Sequence, residues 1–148
     1  VELLQIQGKG ALRLSGDLVQ VIGDVYETME CFTDITSERG DVAVTAGLVG
    51  SLQYTGASPV EGELHYGINA DFASNDELAI MPYVNGVEYS DDPMIIRGLG
   101  VGKPVTMFWI SQVDLNPNDV VTMMAKNNTS GDISVTFQRT VLTMKIDG

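Results

Sequence analysis

The segment Glu63-Leu64-His65-Tyr66-Gly67-Ile68-Asn69-Ala70 places an apolar side chain at every even position and a polar group or glycine at every odd one. Only an extended backbone turns alternate residues to opposite faces, so this stretch predicts a strand with one dry face and one wet face. The same period returns at Ile133, Val135 and Phe137, which alternate with Ser134 and Thr136. A third case is different. Val105, Met107, Trp109, Ser111 and Val113 alternate in the same way, but Phe108 and Ile110 make the opposite face apolar too. Such a strand calls for cover on both sides, from a central place in a sheet, from residues 1–47 or, in preference, from another subunit. No stretch carries an apolar stripe of helical period over three turns.

Further strands are expected at Ala11–Leu14, Leu18–Ile22, Val25–Phe32, Val42–Thr45, Val49–Tyr54, Leu78–Val84, Val87–Tyr89, Val120–Lys126 and Val141–Ile146. Asn85-Gly86 is the strongest turn signal, because a two-residue type I′ hairpin needs positive φ at both central residues. Asn127 to Gly131 supplies a second turn cluster. Many short strands divided by such turns predict an all-β fold, an antiparallel β-sandwich of jelly-roll type. Its core is expected to hold Leu52, Tyr54, Leu64, Tyr66, Ile68, Leu78, Ile80, Val105, Met107, Trp109, Val135, Phe137 and Leu142. With no repeat and no compositional break, residues 1–148 read as a single domain. Residues 48–148 form the sandwich in this reading, and residues 1–47 an N-terminal arm or extra strands.

Charge narrows the function. The net charge is −12, and the eight basic residues stand singly along the chain. Nucleic-acid faces need clustered Lys and Arg, so direct contact with nucleic acid or an anionic membrane is not expected. Glu2, Lys9 and Arg13 interrupt the apolar stretch a secretory leader would need, and Val1 is compatible with removal of an initiator methionine. Cys31 is the only cysteine, which excludes an internal disulfide. It reads as a small, half-buried side chain in a strand.

The motifs that would carry chemistry fall short. His65 is the sole histidine and sits on the polar face of its strand, with no cysteine at a zinc-ligand spacing. Asp114 to Asp119 begins like a calcium loop, yet Asp119 stands where glycine belongs and Ala125 where a bidentate glutamate belongs. It reads instead as a tight turn ahead of the next strand. The glycines of Gly98 to Lys103 lead to Pro104 and a strand, not to a helix N-terminus, so no phosphate cradle is expected. The carboxylate pairs Asp91-Asp92 and Glu61 with Glu63 are common in so acidic a chain. No catalytic residue, cofactor or metal is therefore assigned, and the chain reads as a binding protein and not an enzyme. A carbohydrate-binding module is a different-class alternative, if two or more of Tyr54, Tyr83, Tyr89 and Trp109 share an exposed groove.

From Gly47 to Asp147 the order of motifs resembles the β-sandwich domains of tailed-phage virion proteins, of the capsid decoration (cement) or fibre-tip kind. The resemblance rests on Leu52-Gln53-Tyr54-Thr55-Gly56, the strand ending near Ala70, Leu78-Ala79-Ile80 and the Asn85-Gly86 hairpin. It continues through Asn118-Asp119, Lys126-Asn127-Asn128 and the closing strands Ile133–Phe137 and Val141–Ile146. It implies a jelly-roll subunit that works as a homo-oligomer, often a trimer, attached to a virion and made in the host cytoplasm. Fibres usually carry a heptad, collagen-like or repetitive β stalk. None is present, which favours a cement subunit on the capsid surface, with the major capsid protein as partner, over a receptor-binding fibre tip. No catalytic residues come with the resemblance.

Phe108 and Ile110 are the candidate subunit contact. They predict a homo-oligomer, trimer before dimer, joined through strand faces and loops. An apolar contact between acidic subunits should strengthen with salt, which screens their repulsion.

Overall fold

The computed structural model describes residues 6–90, 92–129 and 131–147. Among them are fourteen strands and no helix. In chain order the first seven are β1 (Ile6–Arg13), β2 (Leu18–Ile22), β3 (Glu27–Thr28), β4 (Asp34–Gly40), β5 (Val42–Thr45), β6 (Ser51–Tyr54) and β7 (Val60–Asp71). Then come β8 (Glu77–Val84), β9 (Val87–Glu88), β10 (Met94–Arg97), β11 (Val105–Leu115), β12 (Val120–Asn127), β13 (Ile133–Phe137) and β14 (Val141–Asp147). They form two antiparallel sheets packed as a sandwich.

The first sheet is organised by β7. One side of β7 pairs with β11 over its whole length, and the other pairs with β13 and β14. β13 and β14 are one strand line broken by a bulge. Between the pairs Phe137↔Ala70 and Val141↔Gly67 the C-terminal segment advances four residues against three on β7. The extra residue is accommodated where Arg139 takes a φ of +51°. β2 pairs with β13, β1 with β14, and β4 closes the far edge against β1. The second sheet runs β10-β8-β12-β6-β5, with β9 beside β8 and β3 beside β12.

Between the sheets lies one apolar cluster. Leu64, Tyr66, Ile68, Leu142 and Met144 project from the first sheet, and Leu52, Tyr54, Leu78, Ile80, Val121 and Met123 from the second. Most of the expected core is buried, including Val135 and Phe137. Val105, Met107 and Trp109 are the exceptions. They are only half-buried, because β11 is an edge strand and the second sheet does not extend fully over it.

The N-terminal segment contributes to both sheets, β1, β2 and β4 to the first and β3 and β5 to the second. The expected strand Val25–Phe32 is mostly not one: only Glu27 and Thr28 pair, against Met124 and Ala125. Here the chain crosses between sheets, and Gln20 replaces the missing ladder. Its amide donates to the Thr28 carbonyl at 2.9 Å and its oxygen accepts the Glu30 N–H at 3.0 Å. The hairpin Asn85-Gly86 has the predicted positive φ at both residues, 53° and 77°.

Cys31 lies in this crossing segment. It is fully buried and outside any strand, which corrects the expectation of a half-buried strand residue. Burial pushes its thiol up to about 12, from an ordinary value of 9.0, with a hydrogen bond involving Thr140 acting weakly in the opposite direction. The unfolded chain ionises this thiol first. Stability is therefore fully present below about pH 9 and declines as pH rises toward 12, because the unfolded state then binds fewer protons than the folded one. Tyr26 and Tyr66, also raised chiefly by burial, add a loss of the same sign. Urea unfolding of the wild type and Cys31→Ala across this range should show a shallower decline for the variant. Equal slopes would contradict the buried neutral thiol.

Candidate assembly interface

β11 is paired on one side only. In an antiparallel strand the N–H and C=O of one residue point to the same side, and those of the next to the other. The Asp114 N–H donates to the Tyr89 hydroxyl at 2.9 Å, away from β7. By alternation the backbone groups of Thr106, Phe108, Ile110 and Gln112 also point outward from the sheet edge. Tyr89 thus caps one end of the edge, and among the described residues β11 has no other strand partner. A long unpaired edge is a template for pairing with another chain, and proteins usually blunt it with charge, proline or a bulge. Residues 105–112 of this edge contain none of these.

The middle of its outer face is apolar as well. Phe108 is 58% exposed and Ile110 53%. The ladder excludes a central position in the sheet, and among the described residues neither side chain is covered by the N-terminal segment. Gly67, opposite Phe108, explains the geometry. A Cβ there would stand 3.1 Å from Val141 Cγ2 and 3.5 Å from Phe108 Cδ2, so the bare backbone lets these two side chains converge from either side. The Phe108 ring also lies 6.0 Å from the imidazole of His65. Val141, Val19 and Val21 are further exposed apolar residues of this sheet, turned to the same outer side.

The charges on this face are sorted. Lys145 stands opposite Glu63, Lys9 opposite Lys145, and Arg39 opposite Lys9. Three of the chain's eight bases therefore fall in one row across the sheet. In a chain of net charge −12 this face opposes the approach of a second copy less than the acidic remainder does.

The remaining sequence candidates do not join into a site. His65 contacts the Glu63 carboxylate on the outer face of β7, which holds the ring in place. The Asp119 carboxylate is used within its own turn and across to the hairpin, accepting from the Asn116 N–H at 2.8 Å and from the Asn85 amide at 2.8 Å, with Asn118 at a φ of 72°. In the glycine loop Gly102 donates to Asp71 at 2.8 Å and Gly100 to the Phe72 carbonyl at 3.2 Å. Glu61 is exposed and Glu63 half-buried on the outer face of β7, and Asp91 lies outside the described residues. Tyr54 is buried with its hydroxyl on the Ser58 carbonyl, so it cannot serve a sugar groove. Tyr83 packs on Tyr26 with ring centroids 5.6 Å apart, and Trp109 is half-buried on the inner side of β11.

No family model and no curated protein matches the chain. Solved structures do. An Eiger TNF from S. frugiperda superposes with a TM-score of 0.62 at 11% identity, covering 96% of this chain and 93% of that one. The globular domain of a zebrafish complement 1qA protein gives 0.57 at 11% identity, with coverages of 94% and 96%. The vertex protein of phage PRD1 gives 0.52 at 8% identity and covers 97% of both chains. At these identities the likeness establishes the fold alone. The chain is an antiparallel β-sandwich of jelly-roll type.

Phe108→Ser combined with Ile110→Ser separates an interface from a core. Both side chains are exposed, so the free energy of unfolding of the isolated subunit should change by no more than about 0.5 kcal/mol. Self-association should weaken by about 3 kcal/mol or more, the burial of two large apolar side chains. Sedimentation velocity together with urea unfolding reads both. A subunit destabilised as by a core cavity would place these residues in the fold instead.

Proposed function

We propose that the chain is a structural subunit of a phage virion, a decoration or cement protein that assembles with copies of itself and binds the outside of the capsid. The observation that carries this reading is β11, a long edge strand with bare backbone groups and exposed Phe108 and Ile110 on a strongly acidic chain. A surface of that kind on a binding protein is made to be covered. Its likeness in fold to a phage vertex protein, together with the motif order from Gly47 to Asp147, supports the virion setting.

In this role the sheet bearing β11 joins neighbouring copies, as a trimer in preference to a dimer, and the remaining surface meets the major capsid protein. A stable contact with the capsid buries about 800 Å² of the subunit's own surface. Closed rotational symmetry fits the edge: one copy's β11 covered by the next leaves no free template once the ring is complete. Self-association through the apolar face strengthens with salt, as screening relieves repulsion between acidic subunits. The work is done by binding, and no step of chemistry is assigned.

Co-sedimentation with mature heads of the phage that encodes the chain tests the proposal. The expected result is saturable binding at a fixed ratio to capsid protein, and greater resistance of the decorated heads to heat. A glycan array run in parallel tests the fibre-tip alternative. Specific sugar binding with no affinity for heads would overturn the capsid role.

A further inference from the structure

The bulge that interrupts β13 and β14 opens a cavity of about 300 Å³ lined by Arg13, Leu14, Ser15, Arg139, Thr140 and Val141. We infer that this cavity is a binding site for an organic carboxylate, held between the guanidinium groups of Arg13 and Arg139.

The first observation is the pairing of charge. Two of only eight basic residues in a chain of net charge −12 line one small cavity. The ion pairs among the described residues are His65 with Glu63 and Arg97 with Glu77, so neither arginine is paired with a carboxylate among them. Asp34, the acid opposite Arg13 in the β1–β4 ladder, makes no such pair. Like charges brought together repel, and the arrangement is balanced when an anion sits between them.

The second observation is backbone strain. Arg139 holds a φ of +51°, a conformation that costs an L-residue with a long side chain and that glycine or asparagine adopts more easily. Among the described residues the other non-glycine positions with positive φ are Asn75, Asn85 and Asn118. The bulge sets Arg139 and Arg13, both solvent-exposed, on the lining of the same cavity. Strain kept at a charged side chain, where a neutral asparagine would relieve it, is expected where that side chain has a task.

The lining selects the ligand. Leu14 and Val141 give the cavity an apolar wall, and the Thr140 hydroxyl is turned away to the Cys31 carbonyl at 2.6 Å. A naked phosphate loses water against such a wall without return, whereas a carboxylate on a short apolar stem gains from it. Guanidinium groups bind carboxylates through paired N–H donors, and Ser15 lines the same cavity. The carboxylate arrives in one of two ways, as a free small acid or as an acidic side chain of a neighbouring copy. The inference holds for either source and does not depend on the capsid role.

The probe is glutarate, titrated at constant ionic strength while the arginine Nε–H resonances are followed by NMR, with inorganic phosphate as comparison. Saturable shifts of Arg13 and Arg139, with glutarate bound more tightly than phosphate, are expected. Arg139→Asn, which keeps the positive φ and removes the charge, and Arg13→Gln should each weaken glutarate by at least about tenfold, the loss of a charge-assisted pair. The folded spectrum of each variant serves as its own control. Sedimentation at saturating glutarate identifies the source. Dissociation of assemblies means that a neighbour's carboxylate occupies the site, and unchanged assembly means a free acid. Equal binding by wild type and both variants, phosphate binding as tight as glutarate, or no shift at tens of millimolar glutarate would overturn the assignment.

Discussion

The sandwich depends on the inner face of β7. Leu64, Tyr66 and Ile68 are the layer against which the second sheet packs, and both neighbours of β7 take their register from it. A one-residue slip would send these side chains to the wet face and His65 and Asn69 into the core, so the register is firmly set. That same register places Phe108 over Gly67 and Ile110 beside His65, facing outward. The candidate interface is therefore a consequence of the core. Alternation that buries one face of β7 obliges β11 to show its own odd and even residues to opposite sides.

Much of this was legible in the sequence because it follows from period two. β5 and β13 fall where their apolar residues put them, and Asn85-Gly86 turns as its chemistry requires. What was not legible lacked that signal. β4, Asp-Ile-Thr-Ser-Glu-Arg-Gly, is an edge strand with a mostly exposed surface, so it needs no apolar alternation. β10 has only four residues, and its apolar Met94, Ile95 and Ile96 are consecutive. The segment Val25–Phe32 misled in the opposite direction. Its Met29, Cys31 and Phe32 are buried, but by crossing between sheets and not by pairing in one.

The apolar pair Phe108 and Ile110 could be singled out from sequence, since a strand apolar on both faces is unusual in a two-sheet sandwich. That β11 is an edge could not, because strand order is decided by contacts distant along the chain. The cavity between Arg13 and Arg139 was also beyond reach. It exists only because a bulge displaces one residue, and no local motif marks that bulge: Gln138-Arg139-Thr140 holds neither glycine nor asparagine to signal a left-handed turn. A charged residue in such a conformation is visible only once φ is known.

Amide hydrogen exchange along β11, followed as protein concentration rises, tests most directly the claim that this edge is a subunit contact. The N–H groups of Phe108, Ile110 and Gln112 point away from β7 and should exchange rapidly when the chain is dilute, while those of Met107 and Trp109, bonded to β7, stay slow. The first set should become protected as assemblies form, in step with the sedimentation of the sample. Assembly that leaves Phe108, Ile110 and Gln112 exchanging as in the dilute chain would contradict the claim.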